Sequence, residues 1–243
     1  LVATNKNIIF ITSDNFSNNN ANSLIGESQT VIDNVIGTAN YDMGHTFSTG
    51  QGGLASLGSV CSPWQKASGI TGSPAPVGDA YDVDYVAHEM GHQFGANHTF
   101  NNSCQFNRNN STAVETGSGS TIMSYAGICF PNVQNNVDAY YHNISIREMQ
   151  TFLLSATCAQ QTTVTNSPPV VTALTARTIP YGTPFILSTT ATDPNTADQL
   201  TYTFEQVNTQ IASQPPVATP TTGPALRCVA PSTDKFRSFP RMA

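Results

Sequence analysis

Apolar positions along the chain fall into short groups with different periods. "NIIFITSD" (7–14) is an unbroken apolar run of strand length, whereas "ANSLIGESQTVIDNVIG" (21–37) spaces Leu24, Ile25, Val31, Ile32, Val35 and Ile36 near a helical period and closes on Gly37. A strand followed by an amphipathic helix is expected. "YDMGHTFSTG" and "GGLASLGSVC" predict short strands separated by glycines, and "GITGSPAPVG" (69–78) predicts a loop from its Gly and Pro content. "DAYDVDYVAHEMGHQFGANH" predicts a helix, with Tyr81, Tyr85, Val86, Met90 and Phe94 at three- and four-residue steps and no Pro among them. After Cys158 the character changes. "AQQTTVTNSPPVV" predicts a polar linker, and "PFILSTTATD" and "QLTYTFEQV" alternate apolar and polar positions around the turn "DPNTAD", predicting a β-sandwich module. The loop "ASQPPVATPTTGPA" leaves few strands beyond it, so that module reads as partial. Two domains are expected, 1–160 and 169–243, joined by a linker at 161–168.

Composition narrows the setting. Nine Lys and Arg against fifteen Asp and Glu give a net charge of −6, with no run of either sign, so no patch is predicted for nucleic acid or an anionic membrane. No apolar stretch approaches the roughly 20 residues that span a bilayer. The start "LVATNKNIIF" has neither an initiator Met nor a secretory leader's pattern, and the chain reads as a processed or excised piece. Its five cysteines, 61, 104, 129, 158 and 228, include no C-x-x-C pair. Disulfides in an extracellular compartment fit that usage; buried free thiols in a cytosolic protein are the alternative.

The stretch "HEMGHQFGANH" concentrates three of the chain's five histidines. On a helix, His88 and His92 project from one face a single turn apart and are able to bind one ion. Glu89, beside the first ligand, is the natural general base for an activated water. Gly95 is able to leave helical geometry and return His98 as a third ligand. Three protein ligands leave a fourth position open, the mark of catalytic rather than structural zinc. A helix with ordinary satisfied histidines is the competing reading. With His at about 2% and Glu and Gly at about 6–7%, the five fixed positions arise by chance in on the order of one chain per hundred thousand of this length.

The same five positions match H-E-x-x-H-x-x-G-x-x-H, so the chain resembles the metzincin zinc proteases, in which a downstream Met lies in a tight turn beneath the metal. "STIMSYAGIC" supplies Met123. The resemblance implies an α+β catalytic domain: a mixed sheet backed by helices, a zinc helix, a Met-turn, and a last helix for which "NISIREMQTFLLSATC" (143–158) is suitable, burying Ile144, Ile146, Met149, Phe152 and Leu153. On "YDMGHTFSTGQGGLASLGSVC", "VAHEMGHQFGANHTFN" and "GSGSTIMSYAGIC" it is most similar to the bacterial reprolysin-like, adamalysin-related proteases. It departs from the animal and venom members at Thr99, where they carry Asp, and at Tyr125, where they usually lack Tyr; "HTF" followed by Cys104 resembles the pappalysins, and Tyr125 the astacins and serralysins. Because the family begins with a strand and a long helix ahead of the segment matching "LVATNKNIIFITSD", the chain is expected to lack the first part of its domain. The C-terminal region resembles the cadherin- or fibronectin-like repeats of secreted bacterial enzymes.

By analogy with the family, Cys104 and Cys129 flank the lower side of the cleft and are expected to bond, leaving Cys61 for Cys158, although four cysteines allow three connectivities. Cys228 is left over, to pair beyond the present end. His45 and His142 read as ordinary packed or surface histidines, and Trp64 as filling a core or loop pocket. Asp79, Asp82 and Asp84 suit a helix N-terminus; no loop motif supports Ca²⁺ there.

The sequence therefore predicts a secreted or cell-surface, monomeric zinc metalloendopeptidase acting on a protein or peptide substrate, with no nucleic-acid partner and no membrane span. His88, His92 and His98 are the expected ligands of one Zn²⁺ and Glu89 the general base. Tyr125 stands at the offset from Met123 where astacins and serralysins place an oxyanion-binding tyrosine; a Tyr packed under the turn is the alternative. "STGQGGLASLGSV" resembles the cleft's edge strand, predicting a substrate antiparallel to residues 52–60 unless that edge is covered. From a different class, an adhesion or binding protein with an inactive protease-like domain also fits the chain.

Overall fold

In the computed structural model, which describes residues 5–217 and 219–240, the helical spacing after Asn20 produces helix α1, Ala21–Ile36. The Asn20 side-chain oxygen accepts the Ser23 N–H at 3.2 Å, and Gly37, at φ +88°, ends the helix. Leu24, Ser28, Ile32 and Ile36 form the buried stripe, one residue per turn, while Val35 faces solvent. Ile32 and Ile36 pack with Tyr41 and Ala67, and the Ser28 hydroxyl donates to the Ala67 carbonyl at 2.7 Å, so α1 is both packed and hydrogen-bonded to the layer beneath it.

That layer is a three-stranded sheet of β1 (Thr46–Ser48), β2 (Gly52–Ala55) and β3 (Gly69–Gly72), in the order β1-β3-β2. β1 runs parallel and β2 antiparallel to β3. The central strand falls in the segment whose Gly and Pro content predicts a loop, and the prediction holds only for the residues after Gly72. Its first glycine serves close approach, because a Cβ on Gly69 would lie 2.3 Å from Gln93 Oε1 of the helix packed against the sheet. A strand over 7–14 is also corrected. Asn5–Ile8 is a 3₁₀ turn, the Ile9 amide bonds only locally to Lys6, and Ile9, Phe10 and Ile11 are exposed. An apolar run becomes a strand only with a backbone partner, and neither β1 nor β2 supplies one. Residues 1–4 of the resembling segment, and 218 and 241–243 of the expected module, lie outside the described residues.

The histidine-bearing helix is continuous but not uniform. α2 (Asp79–Tyr81) passes into a π-helical stretch, Asp82–Ala87, and then into α3, His88–Gln93. Asp84 accepts from the Val137 amide and the Asn136 side chain, tying the wider π-helical turns to the chain opposite. α4 (Asn143–Leu153) is capped by His142, whose ring nitrogen accepts the Ile144 N–H. Its expected apolar face is only partly buried: Ile144, Met149 and Phe152 are half-buried, but Ile146 and Leu153 face solvent, and Ser145 is the residue wholly enclosed. Disulfides join Cys61 to Cys158 and Cys104 to Cys129. Trp64 fills no pocket. It stands 84% exposed in the turn where the Gln65 and Lys66 amides bond to Ser62, so hydrogen bonding rather than its side chain shapes that turn.

Beyond the linker the described residues contain two antiparallel two-stranded ladders. β4 (Val170–Val171) pairs with β6 (Ala191–Thr192), and β5 (Phe185–Ser188) with β7 (Phe236–Phe239), where Phe185 and Phe239 stack. "QLTYTFEQV" contributes a single bridge, Tyr202 to Ser232. Parts of this segment also bond to the first 160 residues: the Ala212 amide donates to Asn101 at 2.9 Å, and the Tyr140 hydroxyl to Val229 at 3.2 Å.

Burial separates two substitutions that the sequence alone would treat alike. Ile70→Ala, in the enclosed centre of β3, should lower stability by about 2–5 kcal/mol. Trp64→Ala should change it by less than about 0.5 kcal/mol. Urea unfolding followed by circular dichroism reads both; a larger loss for Trp64→Ala would contradict its exposed position.

Candidate metal centre

α3 presents His88 and His92 on one face because they stand four residues apart, and a Schellman turn brings back the third imidazole. The Ala96 amide bonds to the Gly91 carbonyl at 2.9 Å and the Gly95 amide to His92 at 2.8 Å. This closure needs φ +92° at Gly95, a conformation a β-carbon disfavours. The chain then runs back beside the helix and delivers His98. Ring centroids lie 4.8 Å apart for His88 and His92, 4.6 Å for His92 and His98, and 5.2 Å for His88 and His98.

The direction of each lone pair is settled at the far nitrogen. Nδ1 of His88 lies 2.7 Å from the Ile122 carbonyl, Nδ1 of His92 2.7 Å from Ala96, and Nδ1 of His98 2.7 Å from Asn107. A carbonyl only accepts, so each Nδ1 carries a proton and each neutral ring presents an unprotonated Nε2. His92 Nε2 and His98 Nε2 face each other at 3.1 Å, two lone pairs that repel unless a cation lies between them. Burial, and for His88 and His92 the neighbouring rings, hold all three below the usual imidazole range, with His92 near 4. Neutral, converging nitrogens with one side open fit a divalent ion such as zinc.

Beside these rings Glu89 is 8% exposed, and burial raises its carboxyl to about 8. β2 crosses directly over it: a Cβ on Gly53 would lie 2.1 Å from Glu89 Oε1. Met123 is wholly buried in the Thr121–Ser124 turn, its sulfur so near Gly91 that a Cβ there would meet it at 2.4 Å. The Tyr125 ring stands 4.6 Å from that of His98 and 5.7 Å from that of His88. The profile of metallo-peptidase family M12B, reprolysin-like, matches residues 1–155. This chain belongs to that family. No curated protein matches it.

Within this reprolysin-like domain, several residues that the motif does not announce hold the centre in place. Gln93, fully buried, donates to the Gly44 carbonyl at 2.9 Å and pairs with His45 Nδ1 at 2.7 Å; the His45 ring also meets the Thr71 hydroxyl at 2.8 Å. His45 is thus a packed histidine that locks α3 to the sheet. Glu115 is enclosed and accepts from the Thr99 hydroxyl at 2.6 Å, the Ser120 and Thr121 amides at 2.8 and 3.1 Å, and the Thr121 hydroxyl at 2.5 Å. It therefore binds the segment after His98 to the turn that carries Met123. Thr99 instead of Asp is the one sequence signal of this arrangement, since a hydroxyl there needs an acceptor from elsewhere in the chain. The Cys104–Cys129 bond anchors the loop that supplies Asn107 to His98.

Glu115→Gln should therefore be destabilising, at about 1–3 kcal/mol for each buried donor left facing the new NH₂. Denaturant titration measures it, and a neutral result would show that the carboxylate is not what joins the two segments.

Proposed function

We propose that the protein is a zinc-dependent endopeptidase of the extracellular environment, cleaving protein or peptide chains. The observation that carries this reading is the convergence of three neutral imidazole nitrogens beside a buried carboxylate, under an edge strand. His88, His92 and His98 would hold the ion. Zinc, when bound, supplies Lewis acidity to a scissile carbonyl and acidifies water toward a pKa of about 7. Glu89 takes a proton from the attacking water and returns it to the leaving amine. Its enclosed position and raised affinity for protons suit both transfers. The turn holding Met123 would serve as the family's Met-turn, and residues 169–243 as a partial β module.

Among the described residues β2 pairs on one side only, so its outer edge is available to an extended peptide, and a cleft of about 370 Å³ lined by Gly52, Gly72, Tyr81 and Tyr85 continues from it. The expected binding segment narrows to 52–55. The amides of Ser56, Gly58, Ser59 and Val60 already donate to Ser68, His92 and Gln93 carbonyls. Both disulfides fit an oxidising compartment, and no helix among the described residues is long and apolar enough to cross a membrane.

Glu89→Ala should keep zinc at the histidines while casein cleavage falls by on the order of 10²–10⁴. Gly53→Ala should act in the same direction by turning the carboxylate aside. Digestion with and without a chelator, alongside metal analysis, tests both. Unchanged cleavage by Glu89→Ala sinks the mechanism, and no chelator-sensitive cleavage by the wild type favours a binding protein with an inactive domain.

Tyr125 joins the reading as an oxyanion donor. Burial, then the charges of Glu89 and Tyr85, push its phenol up to about 12, so the O–H is retained at neutral pH as a donor. A donor that strengthens only in the transition state acts on kcat. Tyr125→Phe should lower kcat by roughly 10- to 10³-fold with KM nearly unchanged. Steady-state kinetics showing an unaltered kcat would leave Tyr125 as a packing residue.

A further inference from the structure

A second group of side chains able to hold a metal shares no residue with His88, His92 and His98. His142, the cap of α4, is wholly buried. Cys228 is a buried free thiol, and the Glu205 side chain is 5% exposed. One ligand atom from each lies within 4.8 Å of the other two. His142 Nδ1 accepts the Ile144 N–H at 3.1 Å and stands 3.7 Å from Glu205 Oε2, which accepts the Asn143 N–H at 2.8 Å. The opposite atoms, His142 Nε2 and Glu205 Oε1, are buried with no hydrogen-bond partner among the described residues, as is Ser145 Oγ in the first turn of the same helix. Buried polar atoms are rarely left so; His142 Nε2 carries the ring proton, because Nδ1 accepts the Ile144 N–H, and it is the carboxylate oxygen Glu205 Oε1 that points to a missing ligand.

We propose that His142, Glu205 and Cys228 form a second, structural metal site of the zinc class, joining the C-terminal segment to the start of α4. An ordinary ion pair between His142 and Glu205 leaves Glu205 Oε1 as it is; a metal ion engages the carboxylate, the sulfur and, in exchange for the Ile144 N–H, the imidazole Nδ1. Thiolate, imidazole and carboxylate are a zinc set, whereas calcium and magnesium take oxygen alone. Tetrahedral zinc ligands stand roughly 3.3–3.8 Å apart, so the three groups need to close by about 1 Å, within reach of side-chain rotation.

Charge points the same way. The carboxylates of Glu115 and Glu205 and the guanidinium of Arg237 all bear on Cys228, and the thiol also hydrogen-bonds to Glu115. Uptake of Zn²⁺ with loss of the thiol proton to solvent adds one positive charge beside the two carboxylates. Without the ion, burial and the two carboxylates push the thiol up and keep it protonated. A bound cation reverses that preference.

The test needs no peptidase activity, so failure of the protease reading leaves it standing. Protein kept free of reductant, with both disulfides intact, is loaded with zinc or cobalt and stripped of loosely held ions. Two zinc ions per chain are expected, one lost in His92→Ala and the other in Cys228→Ser or Glu205→Gln. The cobalt form should show a thiolate-to-metal charge-transfer band in the near ultraviolet, which the histidine centre cannot give. That band should survive His92→Ala and vanish in Cys228→Ser. If Cys228→Ser does not fold, the wild-type spectrum still decides, because the other four cysteines are bonded in pairs. A cobalt-loaded wild type without the band, or a single zinc lost with His92→Ala, overturns the proposal.

Discussion

Everything at the candidate centre depends on where three protons sit. An imidazole binds a metal only through a nitrogen without hydrogen, and an unconstrained ring exchanges its two tautomers freely. Here three backbone carbonyls, of Ile122, Ala96 and Asn107, hold the proton on each Nδ1 and turn each Nε2 toward one point. Each carbonyl comes from a different piece of the fold: the turn before Met123, the Schellman closure after α3, and the loop tied down by Cys104–Cys129. The Cys104–Phe106 stretch ahead of Asn107 has three consecutive non-glycine residues at positive φ, a costly backbone held by the bonded loop. The ligands belong to a short motif, but their orientation belongs to the whole domain.

Closeness between backbones is the second constraint. Gly53 and Gly69 let β2 and β3 lie against Glu89 and Gln93, so that a carboxylate low in water contact and a fully buried amide both face the sheet. The first arrangement shields the carboxylate from solvent and raises its proton affinity; the second fixes the helix relative to the strand that would meet a substrate. Gly69, one of the glycines that make residues 69–78 read as a loop, is also one of the two that make this packing possible.

Such dependence on distant contacts decides which parts of the protein are legible in its sequence. α1 followed from its period and the Gly37 that closes it, and the convergence of three imidazoles from the helical spacing of His88 and His92 and the turn at Gly95, because both are local. The family resemblance correctly implied both disulfide pairs. β3 did not follow, since its first glycine answers to Gln93, a residue more than twenty positions away. The exposed Ile9–Ile11 run failed for the converse reason, as strand propensity without a neighbouring strand specifies nothing. Glu115, Gln93 and the three orienting carbonyls left no periodic trace, because each acts through a contact distant in sequence. His142 read as an ordinary packed or surface histidine; only its burial beside Glu205 and Cys228 distinguishes it.

The C-terminal segment also changes meaning once its contacts are known. Its composition suggests an appended module, yet a stretch with so few strands must satisfy its amides and carbonyls somewhere, and part of them are met by the first 160 residues. Asn101 lies at the centre of this arrangement. Its amide nitrogen donates to Ala113 at 2.7 Å and Gln210 at 3.2 Å, its oxygen accepts from Ala212 at 2.9 Å, and its backbone N–H bonds to Glu115 at 2.9 Å. Three residues before it stands His98. The segment after residue 168 is therefore hydrogen-bonded, through Asn101, to the stretch of chain that carries the third imidazole.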